Sequence, residues 1–166
     1  MPTKNIILTK EVAAKKMQRI ALEIAGELHN ETAPLIIIGI NGSGMVVATS
    51  LLQLLQTLLP ITIDLITCKI NKREPKQIEY SSELDFNNKN ILLVDDVTNS
   101  GRTLLYALKP LLDFFPKRIQ TMALVERMHK SFPVKIDYIG LSIATTLHDH
   151  IVVEVDQNEV ICSYME

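Results

Sequence analysis

The sequence predicts an α/β fold, a mostly parallel sheet flanked by helices. Three observations predict it. Apolar, β-branched runs alternate along the chain with segments of helical periodicity. PLIIIGI (34–40) is a continuous apolar run, as a strand buried on both faces requires, and ILLVD (91–95) has four apolar residues before its aspartate. Each is followed by a short stretch of small residues containing glycine and then by a helical pattern, the strand–turn–helix order of a right-handed crossover.

In chain order, Val12, Met17, Ile20, Ala21, Ile24 and Leu28 mark an amphipathic helix over 10–29, with Thr9 as its N-cap. PLIIIGI is the first strand and stops at NGSG. Helical spacing returns over 45–58 and ends before Pro60. ITIDLITCKI (61–70) is β-branched and reads as the second strand. Residues 71–90 are polar, mixed in charge and hold Pro75, so they read as a long functional loop. ILLVD is the third strand, and a helix follows from about Gly101, where Pro110 predicts a kink or an early stop. TMALVE (121–126) and KIDYIGL (135–141) are further strands. The tail pairs IVVEV with VICSY in a hairpin turned by Asp156–Glu159. A length of 166 residues suits a single domain over 1–166, with 71–90 a flexible loop and 143–166 ending in the hairpin.

With 47% apolar residues, 22% charged residues and a formal net charge of −2, the chain has an ordinary globular composition and no global basic excess for nucleic acid or membrane. No apolar run approaches the ~18 residues of a membrane span, and MPTKNIILTK has too short an apolar segment for a secretion signal. A cytoplasmic protein is expected, with Cys68 and Cys162 as free thiols.

The chemistry concentrates in ILLVDDVTNSGRT (91–103). An apolar strand runs into Asp95 and Asp96, then into Thr98, Asn99, Ser100, Gly101, Arg102 and Thr103. In parallel sheets ligands gather at the carboxyl ends of the strands. The residues from Thr98 to Thr103 offer backbone amides and hydroxyls at the start of a helix, a setting that favours phosphate. Two carboxylates beside a phosphate repel it unless something bridges them, and sugar hydroxyls or Mg²⁺ would do so. The pattern implies a phosphorylated sugar with free hydroxyls. The alternative is a strand-to-loop cap with one spare acid. GINGSG (39–44) fits neither a dinucleotide fingerprint nor a Walker A loop. The amides of Asn41, Gly42, Ser43 and Gly44 form either an anion-binding loop or a plain tight turn. His148 and His150 flank Asp149 and, on a strand, share one face. A structural zinc site needs about four ligands, so the trio reads as exposed polar residues at the hairpin entry. His29 and His129 offer nothing specific.

ILLVDDVTNSGRT resembles the phosphoribosyl-pyrophosphate (PRPP) motif of type I phosphoribosyltransferases. LVERMHKSFPVKIDYIGLSIATT (124–146) and VEVDQNEV (153–160) resemble the pyrimidine-operon attenuator/uracil phosphoribosyltransferase (PyrR-type) family. The resemblance implies the type I phosphoribosyltransferase fold, with a small hood from the terminal segments. Asp95 and Asp96 would hold the ribose hydroxyls, and Thr98 to Thr103 the 5′-phosphate. Asn41–Gly44 would contact pyrophosphate, with Mg²⁺ carried on PRPP or held by the two acids. The loop 71–90 would close over the centre, where Lys72, Arg73 and Lys76 would meet pyrophosphate or else simply lie in solvent. Arg127, Ile143 and Thr145 would lie near the base. Family members carry basic residues in the pyrophosphate loop, and this loop has none. Asn99 stands where purine enzymes usually have an aspartate, and Glu126 where they tend to have a lysine, so a pyrimidine is the expected base. The implied reaction transfers ribose 5-phosphate from PRPP to uracil. The second reading is a nucleotide-sensing regulator that binds RNA. The family also implies a homo-oligomer.

Overall fold

The computed structural model describes residues 4–146 and 148–166. Of the expected domain over 1–166 and hood over 143–166, residues 1–3 and 147 lie outside the described residues, and Ile143 ends β7 of the main sheet. The elements are β1 (Asn5–Leu8), α1 (Lys10–Leu28), β2 (Leu35–Ile40), α2 (Ser43–Gln56), β3 (Ile63–Ile70), β4 (Ile78–Tyr80), β5 (Asn90–Thr98), α3 (Arg102–Ala107), a 3-10 turn (Lys109–Asp113), β6 (Arg118–Arg127), β7 (Tyr138–Ile143), β8 (Ile151–Asp156) and β9 (Glu159–Met165). Among the described residues, no helix is long and apolar enough to cross a membrane.

Six strands form the main sheet in the order β4-β3-β2-β5-β6-β7. All pairings are parallel except β3 with β4 at one edge. Every residue of β2 is buried, and so is every residue of β5. Alternation along β2 explains why. Leu35 and Ile37 join α1 and α2 in one core, while Ile36, Ile38 and Ile40 join Leu104, Ala107 and Leu111 in the other. Each such side chain contributes about 1.5–3 kcal/mol by leaving water, so the continuous apolar run is the consequence of two covered faces. The hood is a separate antiparallel sheet in the order β1-β9-β8.

Helix α1 starts at the expected cap, where Val12 N–H donates to Thr9 Oγ1 at 3.3 Å. Its buried stripe is Ala13, Met17, Ile20, Ala21, Ile24 and Leu28, and Val12 is 40% exposed instead of joining it. Helix α2 begins at Ser43, two residues before the expected start, because Gly42 adopts a left-handed φ of 87° and turns the chain directly out of β2. Pro110 behaves as expected: α3 ends at Ala107, and Pro110 lies in the first turn of the 3-10 segment that replaces it.

Three expectations are corrected. Residues 71–90 are not all loop, since β4 pairs there with the end of β3 through Cys68↔Tyr80 and Ile70↔Ile78. The third strand extends beyond ILLVD to Thr98, so both acids lie inside it. KIDYIGL is shifted: β7 starts at Tyr138, and the Asp137 side chain just before it accepts from Thr121 N–H of β6 at 3.0 Å.

Candidate functional site at the end of the central strand

The site follows from unequal strand lengths. The pairing of β2 with β5 ends at Gly39↔Val94, where β2 turns toward α2. On the other side β5 continues along β6 through Asp95↔Ala123, Val97↔Val125 and Thr98↔Glu126. Asp95 to Thr98 therefore keep their ladder on one side and lose it on the other. The sheet edge so opened is bordered by a cavity of about 330 Å³ lined by Lys72, Asp95, Val97, Leu104, His150 and every residue from Thr98 to Thr103. Sequence reasoning missed His150 here, which is presented from the hood just before β8; no local pattern marks it, since its position depends on how the two sheets meet.

Asp95 is only 1% exposed and Asp96 9%. Burial, then the charge of Asp96, push the Asp95 carboxyl well above the usual carboxylate range, while Lys72 pulls it back down. Asp95 Oδ1 accepts the Asp96 backbone N–H at 2.9 Å. The Lys72 ammonium stands 3.3 Å from Asp95 Oδ1 and 3.5 Å from Asp96 Oδ1. The second approach lacks hydrogen-bond geometry, so Asp96 Oδ1 is buried without a hydrogen-bond partner, as is Thr98 Oγ1. Buried polar atoms are usually satisfied; Thr98, which lines the cavity, keeps an unpartnered hydroxyl, whereas Asp96 lies behind the cavity wall with its Oδ1 facing the Lys72 ammonium. Burial works against the Lys72 charge, but the two acids prevail and raise its pKa.

The loop after β5 is held from behind. Ser100 O accepts the N–H groups of Ser131 and Phe132, both at 3.1 Å. Gly101 has φ 86°, and a methyl there would meet Val134 Cγ1 at 2.6 Å. Glycine is required here by the Lys130–Val134 segment packed beneath the loop. Ser100 Oγ accepts Arg102 N–H at 3.3 Å, and the Arg102 guanidinium donates to Lys72 O at 2.9 Å. With only six residues, α3 adds little dipole, and any anion would be met by the loop amides themselves.

The other expected residues lie around this centre, outside the cavity wall. Asn41 and Gly42 form the β2–α2 turn and Ser43 and Gly44 open α2; a methyl on Gly44 would stand 3.1 Å from Asp95 Oδ1, so the start of the helix packs directly on the acid. Asn41 is already engaged: its N–H donates to Cys68 O at 3.0 Å and its Oδ1 accepts Ile70 N–H at 3.1 Å. Asn41 also borders a second cavity of about 760 Å³ with Lys69, Asn71 and Lys76. That brings lysines near a turn which itself has none. Arg127 pairs with Ile143 across β6 and β7 and donates to Thr146 O at 2.6 Å, and Thr145 Oγ1 is buried without a partner. Glu126 is held by Lys130 at 2.7 Å and by Ser142 Oγ at 3.1 Å. Asp149 caps its own turn by accepting Thr146 N–H and Oγ1–H, both at 2.7 Å, and no cluster of three metal-ligand side chains occurs among the described residues.

The sequence model of the phosphoribosyl transferase domain matches residues 7–159. The Bifunctional protein PyrR of Macrococcus caseolyticus is 31% identical, the match covering 93% of each chain. That of Bacillus pumilus is 31% identical over 99% of each. Among solved structures, a hypoxanthine phosphoribosyltransferase of Trypanosoma cruzi superposes with a TM-score of 0.79 at 14% identity, over 98% of this chain and 97% of that one. A hypoxanthine-guanine phosphoribosyltransferase of Bacillus anthracis gives 0.71 at 17% identity, over 85% and 82%. At such identities these two structures establish the fold alone. The chain belongs to the type I phosphoribosyltransferase family, alongside the proteins named PyrR.

Proposed function

We propose that this chain transfers ribose 5-phosphate from PRPP to a nucleobase, with uracil preferred, and releases pyrophosphate. The observation that carries the reading is the cavity in which a buried acid and the amide-rich loop from Thr98 to Thr103 share one wall. Asp95 and Asp96 accept hydrogen bonds from the ribose hydroxyls, and Asp96 Oδ1 makes no hydrogen bond within the protein. The loop holds the 5′-phosphate throughout, which positions the anomeric carbon for the incoming base. The base nitrogen forms its bond to that carbon as the carbon–oxygen bond to pyrophosphate breaks, and the proton that nitrogen carried leaves to solvent or to the departing pyrophosphate. The acid pair suits a divalent cation, since a cationic ammonium already stands within 3.5 Å of both carboxylates; Mg²⁺ bound there, or carried on PRPP, would supply charge neutralisation for the leaving pyrophosphate.

The pyrimidine preference rests on two positions. Asn99 cannot accept a proton from a purine ring, and the Glu126 carboxylate, tied to Lys130, offers no cationic donor to a purine oxygen. Incubation with PRPP and Mg²⁺ plus uracil, hypoxanthine or guanine, with pyrophosphate release measured, tests the proposal. Release is expected with uracil; faster turnover of either purine overturns the base assignment, and no release with any base overturns the catalytic reading.

The second reading, a nucleotide-binding regulator acting on RNA, is favoured by the word bifunctional in the names of the PyrR relatives. Several cations on and near α1 are neutralised, however, with Lys10 on Glu159, Arg19 on Glu23 and Arg118 on Glu27. RNA binding needs cations free to meet phosphate.

A further inference from the structure

Lys72 lies two residues beyond the end of β3, and its side chain is half exposed. It nonetheless reaches back to the acid pair, at 3.3 Å from Asp95 Oδ1 and 3.5 Å from Asp96 Oδ1. Adjacent carboxylates, one of them fully buried, need a compensating cation, and here the protein supplies its own. The same residue is held a second time, through its carbonyl, by the guanidinium of Arg102 at 2.9 Å. Arg102 belongs to the loop read above as the phosphate cradle. The segment after β3 is thus fastened to the two parts of the site that a sugar phosphate would engage, the acids and the loop.

We propose that Lys72 is an internal counter-cation, occupying the acid pair until a divalent cation or a pair of sugar hydroxyls takes the same oxygens. The inference rests on the reading of Asp95 and Asp96 as the acids that face the sugar. A phosphate that recruits Arg102 loosens the second fastening, so sugar and phosphate together free the 71–77 segment. The half-exposed side chain makes the exchange feasible, because the released ammonium passes directly into water. Lys72 is a positioning residue in this scheme: it lies against both acids and holds their side chains in place without taking part in bond making.

The test uses Mn²⁺ alone as probe, with free Mn²⁺ followed by electron paramagnetic resonance on the full chain. Lys72→Met is expected to bind Mn²⁺ at least about tenfold more tightly than wild type, the scale of one charge-assisted competitor removed. Lys72→Arg, which keeps the cation, should stay near wild type, and Asp95→Asn with Asp96→Asn should abolish the gain. Equal or weaker Mn²⁺ binding by Lys72→Met overturns the proposal. A measurement on the wild type alone guards against misfolding of the variant. Mass-spectrometric acylation of Lys72 should rise with saturating Mn²⁺, and unchanged or reduced labelling also overturns the proposal. UMP binding by equilibrium dialysis separates the two readings. If wild type fails to bind UMP while Lys72→Met gains Mn²⁺ affinity, the nucleotide site is discarded and the counter-cation stands.

Discussion

Asp95 is buried in the sheet beside a second acid, and burial, then Asp96, raise its pKa well above the ordinary carboxylate range against the pull of Lys72. The folded state therefore binds this proton more tightly than the unfolded chain does. Its stabilising contribution is complete below the unfolded carboxylate value and is lost as pH rises through the elevated folded one. Asp95→Asn removes that loss and keeps an acceptor for the Asp96 N–H. Thermal melts should show variant and wild type close together in acid and the variant increasingly more stable toward neutral pH. A gain of about 1 kcal/mol corresponds to roughly 2–4 °C in a chain of this size. A variant that loses stability relative to wild type as pH rises would contradict the burial argument. Gly101 makes a second residue-scale case. Gly101→Ala should cost about 1–2 kcal/mol for the left-handed backbone, plus the clash with Val134. Val134→Ala in the same chain should recover the clash but not the backbone cost, measurable by denaturant titration. At this scale the sequence was informative where chemistry broke pattern: two charges ending an apolar run are visible in one dimension. Lys72 and His150 were legible only as loop residues, because their places against the acids depend on chain reversals that no local spacing records.

Elements were legible in proportion to how much apolar surface they bury. The strands β2 and β5, wholly buried, announced themselves through uninterrupted Ile, Leu and Val. The edge strands did not: β1 has four residues and β4 three, both partly exposed, so each carries too few periods to stand out from loop. The underestimated length of β5 has a related cause, since Asp, Asp and Thr are unusual in a buried strand and are tolerated here by neighbours distant in sequence. The end of β6 shows the same dependence. Glu126 and Lys130 are mostly buried, with side chains 11% and 15% exposed, and Ser142 of β7 completes the carboxylate's contacts. Glu126→Ala should strand the lysine and cost about 3 kcal/mol, because an uncompensated buried charge remains. The double substitution Glu126→Leu with Lys130→Met should restore most of that stability. A double-mutant cycle with no coupling between the two positions would show that the pair is merely superficial.

At the scale of the whole molecule, the fold class followed from alternation alone, but the way the hood joins the main sheet did not. Leu8 of β1, Ile151 and Val153 of β8 and Val160 of β9 belong to the same buried cluster as Leu35, Leu92 and Leu124 of the main sheet, with α1 and α2 between them. A hood that shares its core with the main sheet and helices cannot loosen without exposing apolar surface of that core, and this is the physical basis for expecting one cooperative unit rather than two. The chain has no tryptophan, so a single introduced one reports on its own surroundings. Tyr164 of β9 is 9% exposed, and one face of its ring is covered by Lys4, 4.4 Å away, a long side chain that can shift to admit the larger indole. Tyr164→Trp should therefore be tolerated and should place a fluorescent reporter inside the hood. Its thermal transition is expected to coincide with the loss of far-ultraviolet circular dichroism, which is dominated by the main sheet and the two long helices. A fluorescence midpoint several degrees below the circular dichroism midpoint would mean that the hood opens first, and His150 would then leave the cavity wall before the sheet unfolds.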